Sequence, residues 1–550
     1  MLKLVSDRCV PFLQRCGGAP CRGHSKAGPF SKLGPTRIPA QRPLRWLSFR
    51  RFDMSDSDAA PQASSSVANS STSKIPVEDQ ISLGQKAAYA SGMFVNNLQA
   101  AALPAMMVIL NLGLGMDPRL VGIIGFLPRI FDAISDPMMG YISDNTRSRW
   151  GRRRPYIFGG AVVAGLVFAA MWQLPEGHSE SFYFWFFLMA SISYFLTYTI
   201  YATPFVAFGY EMTPNYHERT RLHAFANAVG QLAWVGVPWF YAIMASSLFD
   251  NTVHGARVLA IWVGGAIIVM GIVPAIFCRE RIGKLQPTEE PAGVSGVAKN
   301  LSEFFKSLGT TLKCKPFLKL CSATFLVFNG YQLGVSFALY VMIYYVFGGN
   351  DEAAGNLNGW WGSLTAICTV GVIPLTAAIS ERLGKRRTFL LTISLSILGY
   401  AIKWVGYNPE HPYWLLASCP FVAFGTGALF TLMGSMISDV CDYDELQSGK
   451  RREGVFGAIY WWMVKVGMAL AGLIGGYLLV GSGFITPAPD ATEPVVQSAE
   501  TLFYLRVFDV MIPMATSIIA MVIMATYEIT ETRANEIRTE LESRRGKLTS

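Results

Sequence analysis

From residue 85 onward the chain alternates long apolar runs with short polar turns. Twelve runs stand out, over residues 85–110, 120–142, 156–173, 182–209, 222–249, 258–278, 317–347, 354–379, 388–406, 413–437, 455–481 and 502–527. Each is near the ~20 residues that a helix needs to cross a bilayer. The pattern predicts an all-α polytopic membrane protein with twelve transmembrane helices. It also divides the chain into five stretches: an N-terminal segment (1–80), six spans (81–283), a central loop (284–315), six more spans (316–530) and a tail (531–550), which reads as short, charged and helical.

Composition agrees with the spans. Of 550 residues 51% are hydrophobic and only 15% charged, against roughly 25% charged in soluble proteins, and the mean hydropathy is +0.33. The net charge of +9 would suit a nucleic-acid partner if it were gathered in one patch. It is instead dispersed over short loops. One set of loops holds Arg147, Arg149, Arg152, Arg153 and Arg154, then Arg219 and Arg221, then Arg279, Arg281 and Lys284, then Arg382, Lys385, Arg386 and Arg387, then Lys450, Arg451 and Arg452. The alternate loops are poor in bases. By the positive-inside rule the basic loops and both termini are cytoplasmic, and no nucleic acid is expected. Arg119 and Arg257 sit at span edges where they can reach headgroups, and Lys403 is read as snorkelling from an outer span end.

Residues 1–80 are a different material. Up to Arg51 the chain is rich in Arg, Pro and Cys and nearly free of acids, and residues 55–74 are polar and rich in Ser and Ala, a composition that predicts disorder. The basic leader resembles a mitochondrial presequence in composition without its amphipathic run; a start at Met54 is the simpler expectation. No apolar core of a secretory signal precedes Gln80.

Against this background one stretch is unusual: RIFDAISDPMMGYISDNTRSRWGRRRP, Arg129 to Pro155. Asp132 and Asp136 lie one helical turn apart and so on one face, near the middle of a span, where a charge costs ~2.5–3.5 kcal/mol on insertion scales. The pair is therefore expected to bind a coupling cation, the alternative being a structural ion pair. The nine cysteines are scattered without paired spacing, and His178, His217, His223, His254 and His411 have no ligand spacing, so neither a disulfide framework nor a metal cluster is expected. No GxxxxGK[ST] run is present, which argues against an ATP-driven pump. No enzyme and no organic cofactor are expected; the coupling ion is Na+ or H+. The chain also echoes itself: GYISDNTRSRWGRRRPYIFGG follows the second span and TAAISERLGKRRTFLL the eighth, each with an acid, a glycine, a run of bases and a new apolar segment. Two related six-helix halves are the signature of the major facilitator architecture.

The Arg129–Pro155 stretch resembles the second-helix motif of the glycoside–pentoside–hexuronide:cation symporters, the melibiose-permease family. TYTIYATPF at 197–205 and SDVCDYDELQSGKRREGVFGAIYWWMVKVG at 438–467 are similar to further blocks of that family. The resemblance covers 81 to about 527, in order. It implies a cation site at Asp132, Asp136, Ser135 and Thr199, with Lys465 of the eleventh span facing it. Carboxylates and hydroxyls are the oxygen donors a hard cation such as Na+ takes. The family's sugar site is altered: its acid on the first helix falls on Asn96 or Asn97, its acid on the fourth on Ala202, and its arginine on the fifth on Asn227. Asparagines still pair with hydroxyls; Ala202 does not. Tyr198, Phe430, Trp461 and Trp462 offer aromatic faces to a sugar ring, but Trp461 and Trp462 point to different faces, so at most one lines a cavity. Arg129 is a candidate member of the site or a partner of its acids. Asp144 with Arg152 and Arg153 reads as a gate latch between helices, beside the topogenic role of the arginines. The expected function is cation-coupled symport of a sugar or glycoside by a monomer in the plasma membrane. A uronide, organic anion or lipid-like cargo, or an uncoupled facilitator, is the alternative.

Overall fold

The computed structural model describes residues 80–146, 148–173, 177–213, 215–280, 294–449, 452–488 and 495–545. The expected disordered segment before Gln80 lies outside the described residues, as do Arg147, Arg281, Lys284, Lys450 and Arg451. The helices are α1 (Leu83–Leu112), α2 (Pro118–Asp144), α3 (Arg154–Met171), α4 (Glu180–Glu211), α5 (Tyr216–Gly236, continued through Pro238 to Met244), α6 (Thr252–Phe277), α7 (Val294–Thr311), α8 (Lys315–Val346), α9 (Asp351–Leu383), α10 (Lys385–Gly406), α11 (Pro412–Ser448), α12 (Glu453–Gly481), α13 (Ala499–Ala525) and α14 (Glu531–Arg545).

Local chemistry sets the ends. Ser82, Asp117, Ser179, Asn215, Asn350 and Ser498 each accept a backbone N–H in the first turn of α1, α2, α4, α5, α9 and α13. Ten helices among the described residues are long and apolar enough to cross a membrane, and they cover ten of the twelve expected spans. The other two expected spans are also helical, as α2 and α5, but are more polar. α2 is the one that carries Arg129, Asp132 and Asp136. The central loop contains a helix, α7, that the span pattern did not reveal because it is amphipathic and not wholly apolar. The tail helix α14 is anchored on α11 through buried Ile537 and Leu541.

The helices pack as two groups, α1–α6 and α8–α13. Within the first, α1 lies on α5, α3 on α6, and α4 on α2 and α3; within the second, α8 lies on α12 and α13, and α11 on α9 and α10. The sequence echo has a structural counterpart. Arg154 at the start of α3 donates to the carbonyls of Ala275 and Ile276 at the end of α6, and Arg386 at the start of α10 donates to those of Ala525 and Tyr527 at the end of α13. Cations thus satisfy helix C-termini at equivalent places. Two seams join the groups: α2 against α12, and α5 with its continuation against α9. The repeat exchanges α2 with α9 and α5 with α12, so each seam is the image of the other.

Both seams are tight at the end away from the basic loops. In the first, a Cβ on Gly476 would stand 2.2 Å from the Pro118 carbonyl oxygen, so only glycine lets α12 approach. In the second, a Cβ on Gly355 would lie 2.7 Å from the Cα of Ala242. Asn358 and Ser363 of α9 donate to the carbonyls of Pro238 and Val235 there. The hydrophobic core follows suit. One buried cluster runs through α1–α6 and on into the far ends of α8–α13, while the basic-loop end of α8 and α10–α13 has a separate core of its own. The halves are joined at one end and parted at the other.

Candidate functional site

The site grows from the face α2 turns to α12. Gly122, Arg129, Asp132 and Asp136 recur at helical spacing along α2, and Gly457, Trp461, Lys465, Met468, Gly472 and Gly476 along α12. Followed from the basic-loop end, this second stripe passes from open to closed. A Cβ on Gly457 would meet nothing within 4 Å. Trp461 is 57% exposed and the Lys465 side chain 24%. Met468 touches Arg129, and the Gly472 oxygen would stand 3.0 Å from a Cβ on Gly122. The interface is a V whose apex lies beyond the charges.

At its centre, Lys465 Nζ donates to Asp132 Oδ2 at 2.8 Å and to Asp136 Oδ2. Asp132 has no exposed side-chain surface, whereas Asp136 is 31% exposed. The other carboxylate oxygens are held by α4: Thr199 Oγ1 donates to Asp132 Oδ1 at 2.7 Å, and Thr203 Oγ1 to Asp136 Oδ1 at 3.1 Å. The Ser135 hydroxyl lies 3.0 Å from Thr199 Oγ1 and donates to the Asp132 carbonyl. Helical spacing explains the match, since Asp132 and Asp136 are four apart on α2, as are Thr199 and Thr203 on α4. Pro137 and Pro204 directly follow Asp136 and Thr203. Lacking an N–H, each leaves the carbonyl four residues earlier without its helical donor.

Four expected cation-site residues therefore meet, with Lys465. Thr203 joins them unanticipated, although its four-residue spacing from Thr199 was the available signal. Arg129 is buried, donates to the Ala100 carbonyl and lies over the Phe195 ring; no carboxylate among the described residues is ion-paired with it. Of the aromatic candidates, Trp461 stacks on Phe430 at 5.8 Å and 7°, and Phe328 meets Phe430 edge-on. Trp462 turns instead to Phe304 and Phe305 of α7, so one of the two tryptophans faces the V, as the spacing required. Tyr198 is buried edge-on to Phe195. Asn96 has a buried oxygen without a partner, Asn97 abuts Gly230 of α5, and Asn227 is exposed; among the described residues none of the three hydrogen-bonds to the carboxylate cluster.

Of the residues expected to form a latch, Asp144 pairs with Arg153, and two further acids join the arginines. Arg153 donates to Asp144 at 2.5 Å and to Glu211 at 3.0 Å, and Arg152 pairs with Glu211 and, at 3.8 Å, with Glu280. These groups come from α2, α4 and the chain after α6, so the network braces one half and does not bridge the two. Burial holds the Glu280 carboxyl above its usual range. In the other half Lys385–Asp439 and Arg452–Asp444 play the bracing part. Lys403 corrects its expectation: it does not snorkel but is 2% exposed, 2.6 Å from Asp509 Oδ1, with Tyr407 donating to Asp509 Oδ2 and the Trp361 ring 4.5 Å away.

A family model described as MFS/sugar transport protein matches residues 88–531. Among curated relatives, a putative glycoside/cation symporter of Escherichia coli is 24% identical over 78% of this chain and 87% of its own length. A glucuronide carrier protein homolog of the same species is 25% identical over 78% of this chain and 89% of its own. In fold, the chain is similar to the xylose transporter XylE of E. coli in a partially occluded inward-open conformation, with TM-score 0.55 at 12% identity, over 81% of this chain and 99% of that one.

Proposed function

The chain belongs to the MFS/sugar transport protein family, and from that premise we propose that it moves a sugar or glycoside across the plasma membrane together with a coupling cation, Na+ or H+. The observation that carries this reading is Lys465 of one half held by Asp132 and Asp136 of the other. All twelve long helices, α2 and α5 included, cross the bilayer, with the basic loops in the cytoplasm; the V then opens inward.

The carboxylates, with the hydroxyls of Thr199, Thr203 and Ser135, make an oxygen-rich site for Na+, or one acid takes H+. Without a cation, Lys465 offsets one of the two negative charges and buried Arg129, one turn along α2, brings the four groups to zero, a charge arrangement the membrane interior tolerates. A cation takes over the acids and frees Lys465, which turns to the sugar bound against the Trp461–Phe430 stack. Asp136, the more open acid, admits the ion, and Asp132 and Thr199 receive it. With both ligands aboard, the halves rock about the seams, closing the basic-loop end and opening the other.

The test is Asp136→Cys in reconstituted vesicles. It is expected to reach the membrane and to lose gradient-driven sugar accumulation; retained accumulation would refute the reading. Varying Na+ and pH separately identifies the ion, and indifference to both means an uncoupled facilitator.

A further inference from the structure

A third junction crosses between the halves at the end away from the basic loops, apart from the cation site. Its centre is Asn111, at the end of α1 and 1% exposed. The Asn111 side chain donates to the Met116 carbonyl of its own half at 2.8 Å. Its other contacts belong to the second half: Nδ2 donates to Thr486 Oγ1 at 3.3 Å, and Oδ1 accepts the Tyr340 hydroxyl of α8 at 3.1 Å. An amide offers two donor hydrogens and one carbonyl oxygen, so this buried group is fully engaged only while the two halves meet here.

Thr486 is presented by a turn that the second half holds in place. After α12, Thr501 Oγ1 donates to the Ser482 carbonyl at 3.0 Å, and Gly483, at φ +77°, reverses the chain in a conformation that disfavours other residues. The buried Gln497 side chain pairs with both backbone groups of Ile485, accepting its N–H at 3.0 Å and donating to its carbonyl at 2.8 Å. Between these fixed points Phe484 points inward, edge-on to Tyr340 and Tyr344 with ring centroids 5.3 Å from each. Tyr340 stands where α8 passes into a π-helical turn, Val341–Val346, a distortion that is frequent at functional positions. The turn, the Phe484 wedge and Tyr340 are thus one preassembled body of the second half, and Asn111 is a first-half group that it grips.

Rocking of the halves must separate Asn111 from this body whenever the outer end opens. Resting on that motion, and not on the cargo, we propose that residues 482–486 with Tyr340 form an outer catch, closed on Asn111, that biases the carrier toward the arrangement open at the basic-loop end. A neutral hydrogen bond exchanged for water shifts an equilibrium by only about two- to tenfold, so the catch tilts the balance and still releases in turnover. Charged pairs, which hold harder, brace the interior of each half instead.

The experiment measures dipolar distances in full-length protein reconstituted in lipid nanodiscs. Spin labels at Ser181 and Glu410 report the outer end, and labels at Ser148 and Ala458 the basic-loop end; all four positions are exposed. Asn111→Ala removes both cross-half bonds and enlarges the population with a long outer and a short basic-loop distance by about tenfold, whereas Tyr340→Phe removes one hydroxyl and enlarges it by about threefold. Tyr340→Phe adds little on top of Asn111→Ala, because its partner is already gone. Residues that only stabilise the fold would lower the unfolding midpoint and leave both distributions unchanged. That result overturns the proposal, as does a shift in the opposite direction. If Asn111→Ala does not reach the membrane, Tyr340→Phe decides by the same two criteria. The readout needs neither sugar nor cation. Unchanged distributions therefore strike the catch and leave symport to the Asp136→Cys test, and loss of the symport reading there leaves these distances to decide the catch by themselves.

Discussion

Two buried ion-pair systems in this chain differ in what surrounds them. Lys465 meets its acids across a seam, at a place partly open to solvent on one side. Lys403 and Asp509 lie wholly inside one half, closed by Tyr407 and Trp361. Under the proposed scheme the first exchanges its partner for an ion through that opening; the second is closed and fixes α10 to α13. Removing one member of a closed pair strands a charge, at a cost of about 3–5 kcal/mol, whereas replacing both by apolar residues is often neutral. Lys403→Met and Asp509→Leu are therefore each expected to lower the thermal unfolding midpoint of detergent-purified protein sharply, and the double substitution to recover most of the loss. An additive double mutant would show that the pair is not a unit.

At the scale of the element, α12 decides the conformation. Its stripe is small at both ends and charged in the middle: Gly476, with Gly122 opposite the Gly472 carbonyl, lets it close on α2 at the apex, while Gly457 stands in open space. Filling the apex should force the helices apart there and shift the balance toward the state closed at the basic loops. Gly476→Leu is expected to bring spin labels at Ser148 and Ala458 closer together in a dipolar distance measurement. An unchanged distance distribution would mean that the apex contact does not set the equilibrium. α7 lies against both α2 and α12, meeting the latter through Phe304, Phe305 and Trp462, so it must shift whenever these two helices separate or close.

For the whole molecule, symport requires that cation and sugar favour the same occluded arrangement of the halves. Linkage then makes the effect mutual: whatever factor saturating cation gives in sugar affinity, saturating sugar gives in cation affinity. Binding measured on purified protein in both directions should return one factor, in the 5–150-fold range typical of coupled sites. A factor of one in both directions would mean that the ligands do not share a state. The bracing networks within each half, Asp144–Arg153–Glu211 and Lys385–Asp439, suit this motion, because they keep each half rigid while the seams move.

The linear sequence by itself determined the membrane class, the positions of the long helices, the repeat and the acids of the site. These follow from hydropathy over some twenty residues, from charge in loops and from helical spacing, all local quantities. Lys465 and Thr199 were legible through family resemblance. Thr203 carried only its spacing as a signal. Only the tertiary structure decided which charge meets which. Lys403 looks like a snorkelling residue until α13 brings Asp509 beside it, and the arginines expected to latch helices through Asp144 also meet Glu211 and Glu280, which no pattern assigned to them. Pairing in a helical bundle depends on the rotation and tilt of helices far apart in the chain. Which of its possible counter-ions a long basic side chain reaches is fixed by that geometry, and no local pattern encodes it.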